Sequence, residues 1–219
     1  MYQKPPDPRV LPACARRLVV AWWIAAAAVA PAIAQAPAPA GPDGLRGPFS
    51  AGLYVGEVYR RTYLTPLYAP NQLDLSSTYI IAANFNYRLW RLPNVPMQFE
   101  MESDIAGHFG DARQYEAVVA PFIRWTAFPW NRVLYTNVRA SVLGLSYSTG
   151  ISAWEKQNSG HGKGSNFLQF GALEISFASH AESRWEVFLR LHHRSGIYGL
   201  INGVDGGSSY LAAGFRVFR

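Results

Sequence analysis

Residues 97–109, MQFEMESDIAGHF, alternate with a period of two. Met97, Phe99, Met101, Ser103, Ile105, Gly107 and Phe109 fall on one side. Gln98, Glu100, Glu102, Asp104, Ala106 and His108 fall on the other. Only a strand turns successive side chains to opposite faces, so this stretch predicts a strand with one apolar and one charged face. The pattern returns in YIIAANFNYRLW, where Tyr79, Ile81, Ala83, Phe85, Tyr87 and Leu89 oppose Asn84, Asn86 and Arg88. AVVAPFIRWTA, LYTNVRASV and FLQFGALEISF repeat it. With GLYVGEVY before them, and WEVFLRLHH and SYLAAGFRVF after, the chain predicts eight strands.

A soluble sandwich would bury the apolar face and expose the charges. A membrane barrel inverts this, with a polar interior and an apolar band flanked by aromatics outside. The segments have about the 9–11 residues that a tilted membrane strand needs. Short connections (RLPNVP, FPWNR, SHAESR) alternate with long ones (RRTYLTPLYAPNQLDLSS, YSTGISAWEKQNSGHGKGS, IYGLINGVDGG). Short turns at one end and long loops at the other are the rhythm of such barrels. The expected fold is all-β, an eight-stranded antiparallel transmembrane β-barrel. A barrel of this size is filled by side chains and has no open pore. Glu100, Glu102, Asp104, Glu116, Glu174 and Glu186 are then expected inside, paired with Arg88, Arg124, Arg139, Arg190 and Arg216, because buried charges need partners. At the C-terminus, Leu211, Ala213, Phe215 and Val217 share the apolar phase and Phe218 turns inward.

The first residues carry an address. Lys4, Arg9, Arg16 and Arg17 precede an apolar run over 18–30, and small residues at 32–34 offer a cleavage site. Residues 1–34 read as a secretory signal peptide, 35–47 as a flexible leader and 48–219 as the barrel domain. The run is too short for a spanning helix, which needs roughly 20 residues. Cys14 is the only cysteine and lies before the apolar run, so the mature chain has no disulfide and no lipid anchor. Beyond residue 34 there are 16 basic and 13 acidic residues, a net charge of +3. That weak balance in an exported protein gives no support to nucleic-acid binding. The expected location is the bacterial outer membrane, with the lipid bilayer and the barrel assembly machinery as partners.

The stretch RLHHRSGIYG raises the functional question. Trp185, Val187, Leu189 and Leu191 share the lipid phase, which continues to His193 and Ser195. His192 and Arg194 point into the lumen. Two residues on one face of a strand lie about 6.5–7 Å apart at the backbone. A histidine and a serine at that spacing can lean together as general base and nucleophile. The competing reading is a pair of polar residues at a strand end. His108 and His161 are isolated, in a lumen position and a loop. No metal-ligand cluster is present, no cofactor is implied, and GHGKGS lacks the strand-to-helix context of a phosphate loop.

The segment 185–219 resembles the lipid A 3-O-deacylases of the PagL type, acyloxyacyl hydrolase-like outer-membrane barrels. Their motif is His-x-Ser-Asn, followed by a glutamate near the start of the last strand. His193-Arg194-Ser195 matches His-x-Ser. The resemblance implies an esterase acting on lipopolysaccharide, with Ser195 as nucleophile and His193 as base. Gly196 stands where the family has asparagine, and its backbone N–H is the expected oxyanion donor. The glutamate position falls on Ser208 or Gly207, so Asp205 is the nearest candidate acid. The alternative is a non-catalytic barrel on the same scaffold, lipid-binding or structural.

Overall fold

The computed structural model describes residues 46–219 except 61 and 112, so the expected signal peptide lies outside the described residues. Eight strands follow in order: β1 (Phe49–Tyr59), β2 (Leu75–Arg91), β3 (Met97–Phe109), β4 (Gln114–Trp125), β5 (Tyr135–Ser148), β6 (Phe167–Ala178), β7 (Trp185–Ser195) and β8 (Gly207–Phe218). Each pairs antiparallel with the next. β8 returns to β1, with Ser50 opposite Phe218 and Val58 opposite Tyr210. The barrel is closed and has the expected strand order.

Alternation decides the faces. Ile105 is 65 % exposed, whereas its neighbours Asp104 and Ala106 are each 1 % exposed. Leu53, Val55, Ile81, Phe85, Val119, Ile123, Val187 and Phe215 join Ile105 on the outside. In water this surface would be strongly unfavourable; against acyl chains it is the required one. No helix among the described residues is long and apolar enough to cross a membrane, and those outward apolar side chains lie on the strands.

Inside, six buried arginines meet seven buried carboxylates among the described residues, so each charge has an opposite neighbour. Glu174 pairs with Arg190 at 2.6 Å, with Arg216 at 2.9 Å and with Arg139 at 3.4 Å. Glu102 joins Arg139 at 2.7 Å and Arg190 at 2.8 Å. Arg124 holds Glu100 at 2.6 Å, and Arg216 holds Glu186 at 2.6 Å. Arg88 is half-buried at the rim and donates to the Arg46 carbonyl at 3.1 Å. Arg46 closes that end, with its guanidinium 3.0 Å from Glu186 and 4.4 Å above the ring of inward-pointing Phe218.

β5 departs from the simple pattern. It reaches Ser148, well past the expected end of the strand, through a register shift between Ser141 and Gly144. Val142 and Leu143 both face out, and the phase resumes with Leu145 and Tyr147 outside and Ser146 and Ser148 inside. An extra residue in one strand of a pair is a bulge, and it flips every later side chain.

At the loop end, α1 (Thr65–Tyr68) lies in the β1–β2 connection and α2 (Ala153–Asn158) in the β5–β6 connection. Ser152 caps α2 by accepting from the Trp154 amide at 3.1 Å. Glu155 then drops into the lumen mouth, 3.0 Å from Arg194 and within 3.3 Å of the Ser208 hydroxyl. Burial pushes the Glu155 carboxyl up, against the pull of Arg194.

Candidate active site

The lipid phase of β7 carries His193 and Ser195 to the outer surface near the loop end, while His192 and Arg194 are fully buried inside. Register gives the neighbourhood. Gly171 of β6, His193 of β7 and Ser209 of β8 form one outward row. Leu173, Leu191 and Leu211 form the next row toward the membrane, and Gln169, Ser195 and Gly207 the next toward the loops. The pair therefore stands directly above an apolar band.

His193 Nδ1 lies 2.8 Å from the Ser209 hydroxyl across the β7–β8 ladder. The Tyr63 ring covers the imidazole, with centroids 4.7 Å apart and planes tilted by 31°. Ser209 is only 5 % exposed and Tyr59 1 %, although strand phase turns both outward. The connection after β1 folds over them, and Tyr59 donates its hydroxyl proton to the Tyr63 carbonyl at 2.5 Å.

Ser195 donates to Gln169 Oε1 at 3.4 Å. The amide of Gln169 is turned by its own NH2 group, which donates to the Val142 carbonyl at 3.0 Å and the Phe170 carbonyl at 2.5 Å. Only its oxygen is left for Ser195. A separation of 3.4 Å is well beyond the usual O–H···O range of about 2.5–3.0 Å, so this bond is weak. A rotation of Ser195 between staggered wells frees the hydroxyl at small cost.

Two expected site residues are engaged elsewhere. The Gly196 N–H donates to the Gly206 carbonyl at 3.3 Å, so it is engaged in the connection just beyond the β7–β8 ladder. A Cβ on Gly196 would lie 1.9 Å from the Val204 carbonyl oxygen, which accounts for glycine at this position. Asp205 does not reach His193. Its carboxylate accepts from the Ser159 hydroxyl, from the Gly160 amide at 3.2 Å and from His161 Nδ1 at 3.2 Å. The Ser159 bond holds the Asp205 carboxyl below its ordinary range. Asp205 ties two outer loops together.

Both alternative positions for an acid are also explained. A side chain at Gly207 would meet the Arg194 carbonyl oxygen at 2.3 Å. Ser208 faces inward toward Glu155. The residue that reaches His193 is Ser209, which the motif alone did not indicate. Strand phase would have found it: two residues before Leu211 lies on the same outward face.

His192 has a different environment. Its Nδ1 lies 3.0 Å from the Tyr54 hydroxyl and its Nε2 3.2 Å from Glu116, which also bonds His108 at 2.8 Å. Among the described residues no group of three or more His, Cys, Asp or Glu is arranged to hold a metal ion.

No family model matches the chain, and no curated protein matches it. Solved structures do. The crystal structure of the outer membrane enzyme PagL covers 78 % of this chain and 99 % of its own, with 12 % identity and a TM-score of 0.55. The two share a fold. Neisserial surface protein A (NspA) covers 79 % of this chain and 98 % of its own, at 11 % identity and a TM-score of 0.44. The Yersinia pestis outer membrane protein Ail, solved in a phospholipid bilayer nanodisc, has 14 % identity and a TM-score of 0.36 and covers 76 % and 98 %.

Proposed function

We propose that this chain is an esterase of the bacterial outer membrane that removes an ester-linked acyl chain from lipopolysaccharide. The observation that carries this reading is the placement of His193 and Ser195 on the lipid-facing surface, one and two rows above Leu173, Leu191 and Leu211. An acyl chain lying along the barrel wall would bring its ester to that height without a soluble cleft. The shared fold with an outer membrane enzyme adds the setting. Export through the signal peptide at 1–34 and insertion by the barrel assembly machinery belong to the same proposal.

Ser195 turns from Gln169 toward His193, and its oxygen attacks the ester carbonyl carbon while the imidazole takes its proton. The tetrahedral intermediate expels the sugar alkoxide, which receives that proton. Water then repeats the sequence on the acyl-serine: His193 takes a water proton, the acid is released and Ser195 recovers its hydrogen. Covering by Tyr63 means that substrate entry displaces that ring.

A non-catalytic barrel is the second reading. It is favoured by the absence, among the described contacts of His193, of a carboxylate partner. Mass spectrometry of lipid A from cells with and without the protein separates the two. Loss of one acyl chain only in producing cells supports the esterase. Identical lipid A in both strains supports the second reading.

A further inference from the structure

We infer that the β7–β8 connection, residues 196–206, is a membrane anchor whose tip, Tyr198 and Leu200, inserts among the acyl chains at the outer boundary of the bilayer. Tyr198 is 95 % exposed and Leu200 82 %. From Gly196 to Val204 the chain carries no charged residue. The neighbouring β5–β6 connection, at the same end of the barrel, turns Lys156, His161 and Lys163 to water instead. Apart from the Tyr198 hydroxyl, Asn202 is the one polar side chain of the tip. It reaches back to that connection, donating to the Ser165 hydroxyl at 2.9 Å and to the Phe167 carbonyl at 2.8 Å. The polar group is thus spent on the barrel, and the apolar groups are left outside.

The backbone holds this presentation in place. Ile197, Tyr198 and Asn202 have φ of 50°, 53° and 53°, in the left-handed region that side chains disfavour. The Gly199 amide donates to the Val204 carbonyl at 2.9 Å and the Ile201 amide to the Gly196 carbonyl at 2.9 Å, with Val204 buried beneath. Strained backbone persists only where its surroundings hold it, and it gathers where a function needs the geometry. Water disfavours two such exposed side chains, and acyl chains remove that penalty. Lipid is the occupant because the loop continues the lipid-facing surface. It leaves β7 directly after Ser195. Its Asn202 is fixed to Phe167, an outward residue of β6 that pairs with outward Tyr147 of β5. Aromatics at that position form the belt that borders the apolar band. Tyr198, apolar in body and polar at its tip, suits the same boundary. Anchored there, the loop fixes the depth of Ser195 in the leaflet. That depth matters to ester cleavage only under the esterase reading, whereas the insertion does not rest on it.

The test is spin-label accessibility on the folded full chain, with Cys14→Ser so that each introduced cysteine is the only one. Single barrels are placed in nanodiscs of phosphatidylcholine and phosphatidylglycerol. Collisions with oxygen, which concentrates among acyl chains, are compared with collisions with a water-soluble nickel chelate. Tyr198→Cys and Leu200→Cys carry the label in turn, and both positions are exposed enough to take it without disturbing the fold. Ile105→Cys on the apolar band is the lipid reference, and His161→Cys in the β5–β6 connection is the water reference. The loop labels should give an oxygen-to-nickel ratio near that of Ile105 and several-fold above that of His161. This result at either position supports insertion. Ratios at the His161 level in both overturn it. A loop meant for a second copy or another protein gives that same overturning result, because a lone barrel leaves it in water. If the ratios are lipid-like but wild type cleaves no lipid A, the esterase reading fails and the anchor stands. If they are water-like while lipid A is cleaved, the anchor fails and the esterase reading stands.

Discussion

His192 and His193 are neighbours in sequence and opposites in chemistry. His192 is fully buried, with Nδ1 3.0 Å from the Tyr54 hydroxyl, Nε2 3.2 Å from the Glu116 carboxylate, and Phe170 and Tyr210 edge-on around it at 4.9 and 5.7 Å. His193 has one hydroxyl and one covering ring. The first environment sets the imidazole among the charged and aromatic groups that fill the lumen. The second leaves one nitrogen for another task. A single step along a strand moves a side chain from a charge-paired interior to the lipid surface. The same residue type is structural on one face and available for chemistry on the other.

The contrast is sharpest at the centre of the lumen. Glu174 neutralises parts of three arginines, so Glu174→Ala leaves buried positive charge uncompensated. A loss of about 3–5 kcal/mol is expected, or failure to assemble. Urea titration in detergent, followed by tryptophan fluorescence, measures it. An equal tolerance for Glu174→Ala and His193→Ala would abolish the distinction between the two faces.

Within the histidine pair, His192→Ala orphans the Tyr54 and Glu116 contacts and should cost about 1–3 kcal/mol. His193→Ala breaks one hydrogen bond at the edge of the barrel and should cost about 1 kcal/mol or less. The same titration ranks them. The reverse order would place the structural histidine outside.

The smallest expected effect lies in the outer loops. Asp205 has a depressed carboxyl, so its contribution to loop order is complete above the ordinary aspartate range. It is lost as the pH falls through the lower folded value. The Gly160 amide resonance, which reports the bond to Asp205, should move in that acid range and not near neutrality. Asp205→Asn should perturb Gly160 while leaving His193 and ester cleavage unchanged. A loss of cleavage in this variant would return Asp205 to the site.

Much of this was legible in the alternation. Period two assigned Glu100, Glu102 and Asp104 to the lumen and separated His192 from His193, because in a barrel the face of a residue follows from its parity alone. Parity breaks at Ser141–Gly144, where Val142 and Leu143 are both apolar and no local signal marks a bulge. Loop positions were beyond its reach. Asp205 is close in sequence to the last strand, but its partners Ser159, Gly160 and His161 come from the connection between β5 and β6. The use of the Gly196 amide depends on a loop in which Ile197 and Tyr198 both adopt positive φ. That is costly for a β-branched residue and invisible to pattern reading. Ser209 was accessible from the outward phase of Leu211, yet a motif search looks for a carboxylate and passes over a hydroxyl.

The most direct test sets the two neighbours against each other in one assay. Lipid A is extracted from cells producing wild type, His192→Ala, His193→Ala or Ser195→Ala at matched levels of folded barrel, and its acylation is read by mass spectrometry. Wild type and His192→Ala should yield the species lacking one ester-linked chain. His193→Ala and Ser195→Ala should reduce it by about 10²-fold or more. Cleavage that survives in His193→Ala and disappears in His192→Ala would contradict the account, because it would put the chemistry on the wrong face of the barrel.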